Sequence, residues 1–293
     1  MKSNQAAKYT LIMISGCLWG TIGFFIKLLD NAGSSPAYTT FLRMTFAFLI
    51  LAGAALIKEG AGSFRISRRT LVTCMLMGVV SMSINNLCYT NAVSLLGMSL
   101  GAALLYMAPV FTAIESKLVF GEHIGKQKIS AIALNVIGCT LAATGGDFSG
   151  IHVSAIGIVF GIGAAFAYST QNIFGRMATD DAPPFTVAAY NFMFAALFTL
   201  LAARPFACVE DPMDPKIVFY GFLFALIPTA IAYLLYFIGI SGLTESSKVP
   251  VLCSLELVIA AILGAAVFNE HISAGMAAGI GMIFISIMII NRH

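Results

Sequence analysis

The chain has 293 residues, of which 59% are hydrophobic and only 10% charged, and its mean hydropathy is +0.93. A soluble globular protein carries about 25% charged residues, so this composition excludes a soluble enzyme. Ten membrane helices of about 21 residues would leave roughly 80 residues for every loop, too few for an additional soluble domain. The net charge of +3 is small and scattered along the chain, which argues against nucleic acid as a partner.

Apolar runs separated by turn residues and charges predict ten membrane helices. These runs exceed the roughly ten-residue alternating strands of an outer-membrane barrel, so the fold class is an all-α integral membrane protein. The first run is too long for a signal-peptide core and no cleavage site follows it, so we expect the amino terminus to stay attached. The predicted spans, in chain order, are 9–29, 37–57, 70–94, 99–119, 126–144, 154–177, 184–203, 217–239, 245–267 and 273–291.

Lysine and arginine are divided unequally between the two sides of the predicted membrane protein. With the amino terminus inside, ten of the 16 basic residues lie in cytoplasmic segments and three lie on the opposite side. Basic residues favour cytoplasmic loops, so this bias predicts a multi-pass protein of the cytoplasmic membrane with both termini in the cytoplasm. The loop 204–216 then faces outward.

An internal repeat divides the chain into two similar halves. Residues 120–124 (Phe-Gly-Glu-His-Ile) recur at 268–272 (Phe-Asn-Glu-His-Ile), with four identities in five at an offset of 148. Each predicted half, 1–146 and 147–293, contains five spans. An odd number of spans makes the second half enter the membrane from the opposite face, so we predict two inverted five-helix repeats with a substrate site at their interface.

This architecture resembles the EamA-like branch of the drug/metabolite transporter superfamily over essentially the whole chain. The resemblance also rests on residues 119–122 (Val-Phe-Gly-Glu), 16–20 (Gly-Cys-Leu-Trp-Gly) followed by Lys27, and 42–44 (Leu-Arg-Met). It implies a secondary transporter that moves small metabolites, often outward, through a central cavity between the halves. Leu257 stands where many members have proline, which leaves a break in the ninth helix open.

Glu256 is the most informative residue of the predicted spans. It follows Glu245 by eleven residues, which places it about 16 Å into the ninth helix and near the centre of a hydrocarbon core about 30 Å thick. A charge there costs roughly 2.5 to 3.5 kcal/mol, so Glu256 should face a wet cavity or a partner, or be protonated. Two functional hypotheses follow, namely binding of a cationic substrate group and uptake of a coupling proton. A protonated carboxyl that joins two helices is the structural alternative.

Polar and aromatic residues within the spans are further candidates for substrate binding. Asn86 with Tyr89, and Tyr233 with Tyr236, occupy equivalent positions of the two repeats at an i, i+3 spacing. That spacing places each pair on one helix face, where amide, hydroxyl and ring groups suit a ligand cavity. Helix-to-helix hydrogen bonds, worth about 0.6 kcal/mol each, are the alternative. The remaining candidates are Trp19, Tyr106, Tyr168, Gln171 and Asn172.

Two cations, a proline and a glycine pair complete the candidates. Lys248, at the start of the ninth helix, either attracts an anionic substrate or reaches the lipid headgroups. Arg43 lies about 9 Å from the end of the second helix, from which it can extend to the interface. Pro109 removes a hydrogen bond from the fourth helix and is a candidate gating residue. The G-x-x-x-G pair of Gly275 and Gly279 is the basis of a homodimer hypothesis through the tenth helix.

Other classes of function fit the sequence less well. A G-x-S-x-G match at 97–101 opens a membrane helix rather than a strand-to-helix elbow, and the chain has no P-loop sequence. We therefore expect neither an enzyme nor a bound cofactor or metal. A midplane carboxylate with several tyrosines suits an ammonium group, which favours an amino acid or amine-bearing metabolite as the transported solute. The resemblance implies that transport is outward. A facilitative channel, or an uptake carrier for a sugar, a quaternary amine or a drug-like cation, is the alternative.

Overall fold

The computed structural model describes residues 2–147, 154–208, 211–269 and 271–291. Glu270 of the repeated motif lies outside these ranges. The described chain is helical and contains no strand. Its α-helices are α1 (Lys2–Trp19), α2 (Ile22–Asn31), α3 (Pro36–Lys58), α4 (Arg68–Leu76), α5 (Asn85–Leu96), α6 (Met98–Leu105), α7 (Ala108–Phe120), α8 (Lys126–Thr144), α9 (Ala155–Asp181), α10 (Pro184–Ala203), α11 (Pro215–Ala225), α12 (Ala232–Ile240), α13 (Val249–Cys253), α14 (Leu255–Phe268) and α15 (Ala274–Asn291).

The helices match the ten predicted spans closely. Within the described ranges, nine helical stretches are long and apolar enough to cross a membrane, and each coincides with a predicted span to within a few residues. The remaining predicted span corresponds to α8, which is also helical but begins with a polar turn that contains Lys126 and Lys128. The all-α fold class is therefore confirmed, and ten spans remain a close description of it.

Two spans contain π-helical segments, which the sequence analysis did not predict. One segment covers Met77–Ile84 between α4 and α5, and the other covers Leu226–Ile231 between α11 and α12. Their first residues are 149 positions apart, so the same distortion recurs in the two repeats. Segments of π-helix are rare and often lie at functional sites, because the wider turn redirects side chains from the regular helical positions.

The fourth and ninth spans are interrupted at equivalent positions. The first interruption begins at Tyr106, between α6 and α7, and the second is at Ser254, between α13 and α14. Pro109 lies in the first turn of α7, where a missing N–H costs no helical hydrogen bond. Leu257 occupies the equivalent place in α14, so the ninth span breaks without that proline. At this break the Ser254 hydroxyl donates to the Val251 carbonyl over 2.7 Å.

The repeated Phe-Gly/Asn-Glu-His-Ile motif ends two helices. Gly121 and Asn269, the one mismatch in the motif, both have left-handed backbones, with φ of 67° and 54°. Glycine and asparagine adopt this conformation most readily, so both residues suit the end of a helix. The next residue, Glu122, accepts the backbone N–H groups of Ser246 at 2.6 Å and Ser247 at 3.1 Å. Its carboxylate thereby satisfies donors at the start of the ninth span.

The chain forms two compact units that do not follow the order of the repeats. Unit 1 comprises Met1–Val79 and Phe174–Leu243, and unit 2 comprises Val80–Ile173 and Thr244–His293. Each unit therefore combines helices from the first and second halves of the sequence. The division at residues 146 and 147 describes the repeat and stays a prediction.

Unit 1 is built around α3, which packs against α10 and α11, while α1 packs against α12. Its apolar core includes Phe25 and Phe224, whose rings stack with centroids 5.7 Å apart. The start of α10 is held by Glu59, whose carboxylate accepts N–H groups from Phe185 and Thr186, both at 3.1 Å. Burial of aromatic surface and satisfied helix ends thus stabilise this unit.

Unit 2 contains a very close contact between α8 and α15. Side chains at Gly275 and Gly279 would overlap the backbone of α8 at Gly145 and Gly138. The G-x-x-x-G pair therefore serves helix packing within the chain. The homodimer hypothesis stays a prediction, but the glycine pair on which it was based is occupied by α8.

Candidate functional site

Glu256 lies in the first turn of α14, directly after the break at Ser254. The positive end of the α14 dipole is located there, and it stabilises a carboxylate within the first turn. Protein surrounds the side chain on all sides, yet Glu256 retains part of its accessible surface. Glu256 is therefore surrounded by protein without being sealed from access.

Two predicted tyrosines lie close to Glu256 within unit 2. Tyr89 comes from α5 and Tyr106 from the break between α6 and α7, and both lie within electrostatic range of the Glu256 carboxylate. Both side chains are partly accessible. The structure therefore brings three of the predicted site residues together as a group with one carboxylate and two phenols, which we call the acid cluster. Such a group offers charge, hydroxyls and ring faces to an ammonium ion.

Asn135 supports the break beside the acid cluster. Its side chain is fully buried in α8, and its Nδ2 donates to Ser254 Oγ at 2.8 Å and to Ser286 Oγ at 3.0 Å. The Cys139 thiol in turn donates to Asn135 Oδ1 at 3.7 Å. These bonds join α8 and α15 to the residue that precedes α14. The sequence analysis missed Asn135, although a single amide in an otherwise apolar stretch of the fifth span was an available signal.

A second carboxylate lies within the fourth span. The Ser169 hydroxyl of α9 donates to Glu115 Oε1 of α7 at 2.7 Å. Asn172, predicted as a binding residue, connects the same two helices, because its Nδ2 contacts Thr112 Oγ1 at 3.3 Å. Asn172 thus makes the helix-to-helix hydrogen bond that was the alternative to binding. The sequence analysis missed Glu115, although an acid inside the predicted span 99–119 was sufficient to find it.

Lys248 is buried and paired at the start of the ninth span. Its ammonium lies 2.6 Å from Glu245, and Lys128 lies 2.5 Å from the other oxygen of the same carboxylate. Partial burial opposes the charge of Glu245, but the two ammonium groups outweigh it, so the pKa of Glu245 lies below its usual value. Lys248 therefore shares one carboxylate with Lys128, and this pairing leaves it less available to attract a substrate anion.

Asn86 and Tyr89 share one helix but have different surroundings. Asn86 is exposed, whereas Tyr89 is half-buried near Glu256. The adjacent Asn85, rather than Asn86, makes the interhelical contact, because its Nδ2 donates to the Ala164 carbonyl at 2.8 Å. Of the predicted pair Asn86 and Tyr89, only Tyr89 therefore belongs to the acid cluster.

The other repeated pair belongs to a compact group of rings in unit 1. Trp19 lies 4.8 Å from Tyr233 and 5.3 Å from Tyr236 between ring centroids, and Phe192 lies 5.0 Å from Tyr233. All of these side chains are buried. We call Trp19, Phe192, Tyr233, Tyr236 and Phe237 the aromatic cluster. The structure brings three predicted site residues together there, within the packed interior of unit 1.

Arg43 points into unit 1 instead of extending along α3 to the interface. Its Nε donates to Thr229 Oγ1 at 2.9 Å, and its guanidinium carbon lies 4.9 Å from the centre of the Phe224 ring. Tyr233 of the aromatic cluster interacts with it electrostatically. The extended conformation that the sequence analysis considered is therefore wrong for this side chain.

Comparison with known proteins identifies the family. The sequence model of the EamA-like transporter family matches the chain twice, over residues 7–144 and 155–292. The chain belongs to the EamA-like transporter family. An uncharacterized transporter of Archaeoglobus fulgidus is 25% identical over 293 residues, which cover 100% of this chain and 98% of that one. The uncharacterized inner membrane transporter YicL of Salmonella typhimurium is 22% identical and covers 86% of this chain and 84% of its own.

A solved crystal structure supports the same fold for this EamA-like protein. It superposes with a TM-score of 0.80 over 97% of this chain and 96% of the other, at 18% identity. The match therefore covers the whole helical arrangement. Together with the apolar helices, the family assignment establishes a multi-pass membrane protein whose relatives are named as transporters rather than as enzymes.

Proposed function

We propose that this EamA-like protein is a secondary active transporter that exports an amino acid or another amine-bearing metabolite across the cytoplasmic membrane by alternating access. The acid cluster is the observation that carries this proposal. A carboxylate and two phenols within membrane-spanning helices match an ammonium group by charge and by ring-face attraction. The membrane location argues for a functional role, since an acid in a span is costly unless it has a partner or water.

The helix breaks support a transport role for the same residues. Substrate sites of secondary transporters are commonly formed by interrupted helices, whose ends present backbone dipoles and unpaired backbone groups to the ligand. Glu256 adjoins the break at Ser254, and Tyr106 begins the break in the fourth span. The family's two repeats supply the pseudo-symmetry that alternating access requires.

A single carboxylate also offers a route to proton coupling. An ionised Glu256 attracts an ammonium group, whereas a protonated Glu256 does not, so proton and substrate compete for one side chain. If the carrier changes conformation only when Glu256 holds a proton or a substrate molecule, it exchanges an inward-moving proton for an outward-moving substrate. This competition makes the proton the proposed coupling ion.

Counterflow in proteoliposomes tests the proposal. We would first identify a stabilising compound by thermal unfolding of the purified protein against amino acids, polyamines, quaternary amines, sugars and nucleosides. Liposomes loaded with that compound should then accumulate its labelled form transiently, because a carrier exchanges solute across the membrane. A facilitative channel gives no such accumulation, and stabilisation by sugars instead of amines supports the alternative substrate class.

Two matched variants locate the effect. Glu256→Gln keeps the shape of the side chain but removes its charge, and we expect at least about a 100-fold loss of counterflow, equivalent to about 2.7 kcal/mol. Glu115→Gln makes the same chemical change at a carboxylate that already accepts the Ser169 hydroxyl of a neighbouring helix, and it should retain counterflow. If the Glu256→Gln protein exchanges solute at the wild-type rate at every pH, both the binding role and the coupling role of Glu256 are wrong.

A further inference from the structure

A guanidinium without a carboxylate partner lies inside a membrane span of unit 1. Arg43 belongs to the span Pro36–Lys58. Among the described residues, its one hydrogen bond goes from Nε to Thr229, and no carboxylate pairs with it. The two terminal nitrogens carry four N–H donors without an acceptor from this part of the chain. A charged group within a span is costly unless it is paired or faces water, so Arg43 is a strong candidate for ligand binding.

The π-helical segment of unit 1 holds Arg43 in its inward orientation. Thr229, which is fully buried in this segment, accepts the Arg43 bond and donates its own hydroxyl to the Phe224 carbonyl at 3.0 Å. The Phe224 ring lies against the guanidinium, with its centre 4.9 Å from Cζ. These contacts restrain Nε and the guanidinium plane, while the terminal nitrogens make no hydrogen bond within the described chain. Arg43 also remains partly accessible.

An unpartnered donor in the aromatic cluster gives an independent indication of a ligand. The indole N–H of Trp19 is buried and has no hydrogen-bond partner in the described structure. Trp19 packs on Tyr233, which lies four residues after Thr229, the acceptor of the Arg43 hydrogen bond. An unsatisfied buried donor costs about 1 to 3 kcal/mol, so an acceptor that binds here gains stabilisation.

We propose that Arg43 and the indole N–H of Trp19 form a carboxylate-binding site in unit 1. A planar guanidinium binds a carboxylate through two parallel hydrogen bonds, and the indole adds a third donor. Arg43 supplies one positive charge, and the residues that the described structure places against it, Thr229 and Phe224, are uncharged. One charge matches a monoanionic carboxylate better than a dianionic phosphate ester. This inference depends on the proposed function in one respect, because it assumes that the bound carboxylate belongs to the transported solute.

The single tryptophan of the chain provides a direct measurement. Trp19 is the one tryptophan among 293 residues, so the fluorescence of the purified protein reports on this site. We would titrate the full chain with the N-acetyl derivatives of leucine, methionine and phenylalanine, and with the corresponding N-acetyl amides. We expect a saturable fluorescence change with the carboxylates and none with the amides, which lack the anion.

Variants assign that response to Arg43. Arg43→Gln should weaken binding of the N-acetyl carboxylates at least about 30-fold, because it leaves the anion unpaired in a buried site. Arg43→Lys keeps the charge without the planar fork, and an affinity loss of about 10-fold is expected. Lys216→Gln, which removes an exposed cation from the same unit, is the matched control and should bind as the wild type does.

The outcomes distinguish this inference from the proposed function. Equal affinities of wild-type and Arg43→Gln protein for the carboxylates would overturn the site, as would equal responses to carboxylates and amides. The absence of a saturable response to every carboxylate would also overturn it. If Arg43→Gln does not fold, the Arg43→Lys affinities and the wild-type comparison of acids with amides decide the question. The N-acetyl probes carry no ammonium group, so a wrong assignment of Glu256 leaves these results unchanged.

Discussion

Tyr89 and Tyr236 occupy equivalent positions of the two repeats but have opposite surroundings. Tyr236 is 1% exposed and packs against Trp19 and Phe237 in the aromatic cluster. Tyr89 is half-buried and interacts with Glu256 in the acid cluster. The same helix position therefore serves the packed interior of unit 1 and a polar, accessible group in unit 2.

The difference arises from the residues around each tyrosine rather than from the backbone. Both repeats contain a π-helical segment in the corresponding span and a break at the corresponding position of the fourth or ninth span. Glu256, however, aligns with Ala108 at the offset of 148, so the carboxylate occurs in one repeat alone. A duplicated scaffold thus supplies two similar frames, and a few substitutions assign them different chemistry.

Alanine substitutions at the two tyrosines test this contrast most strongly. Tyr236→Ala should lower the free energy of unfolding by about 3 to 5 kcal/mol, because it empties a fully buried aromatic site. Tyr89→Ala should lower the free energy of unfolding by clearly less than Tyr236→Ala does. Measured per folded molecule, it should reduce counterflow by more than Tyr236→Ala does. Thermal unfolding in detergent and proteoliposome counterflow measure the two effects. Equal losses of stability would show that Tyr89 is also a packing residue.

Removing Asn135 tests whether the polar side depends on its supporting hydrogen bonds. Asn135→Ala should reduce the free energy of unfolding by about 1 to 3 kcal/mol, because it deletes bonds to two buried hydroxyls. Asn91→Ala, at an exposed asparagine of α5, is the control and should change stability by less than about 0.5 kcal/mol. Matching midpoints for both variants in thermal unfolding would contradict a supporting role for Asn135.

Helix capping by glutamate offers a finer comparison of the two units. Glu59 in unit 1 and Glu122 in unit 2 each accept two backbone N–H groups at a helix start. Replacement by glutamine should cost about 1 kcal/mol at either site, because the charge and one acceptor oxygen are lost. The loss should be larger for Glu122, which is buried, than for Glu59. Chemical denaturation of the two variants measures the difference, and a reversed order would contradict the role of burial.

The smallest predicted effect is the pH dependence from Glu245. Its pKa in the folded protein lies below the ordinary value of 4.5, so ionised Glu245 stabilises the folded state. This stabilisation is present above about pH 4.5 and disappears as the pH falls through the lower folded pKa. Because 32% of the side chain is exposed, we expect less than about 1 kcal/mol. The stability difference between wild type and Glu245→Gln should shrink on acidification, and a constant difference would contradict the ion pairs.

The sequence by itself determined the membrane helices and the most important acid. Lipid offers no partner for backbone groups, so each span must be a long apolar helix, and hydropathy along the chain reveals it. The predicted fifth span, 126–144, has the same limits as α8. Glu256 was recognisable because placing an acid deep within an apolar membrane span costs free energy whatever the arrangement of the other helices.

Only the tertiary structure decided which polar residues meet and which face they present. Arg43 turns towards Thr229, which is 186 positions away in sequence, and Asn135 bonds to Ser254, which is 119 positions away. The ninth span is interrupted although it lacks the proline that lies at the break of the fourth span. The helix face with Gly275 and Gly279 packs against α8. Hydropathy is a local property, whereas a side chain takes its partner from whichever helix packing places beside it, so these assignments required the folded chain.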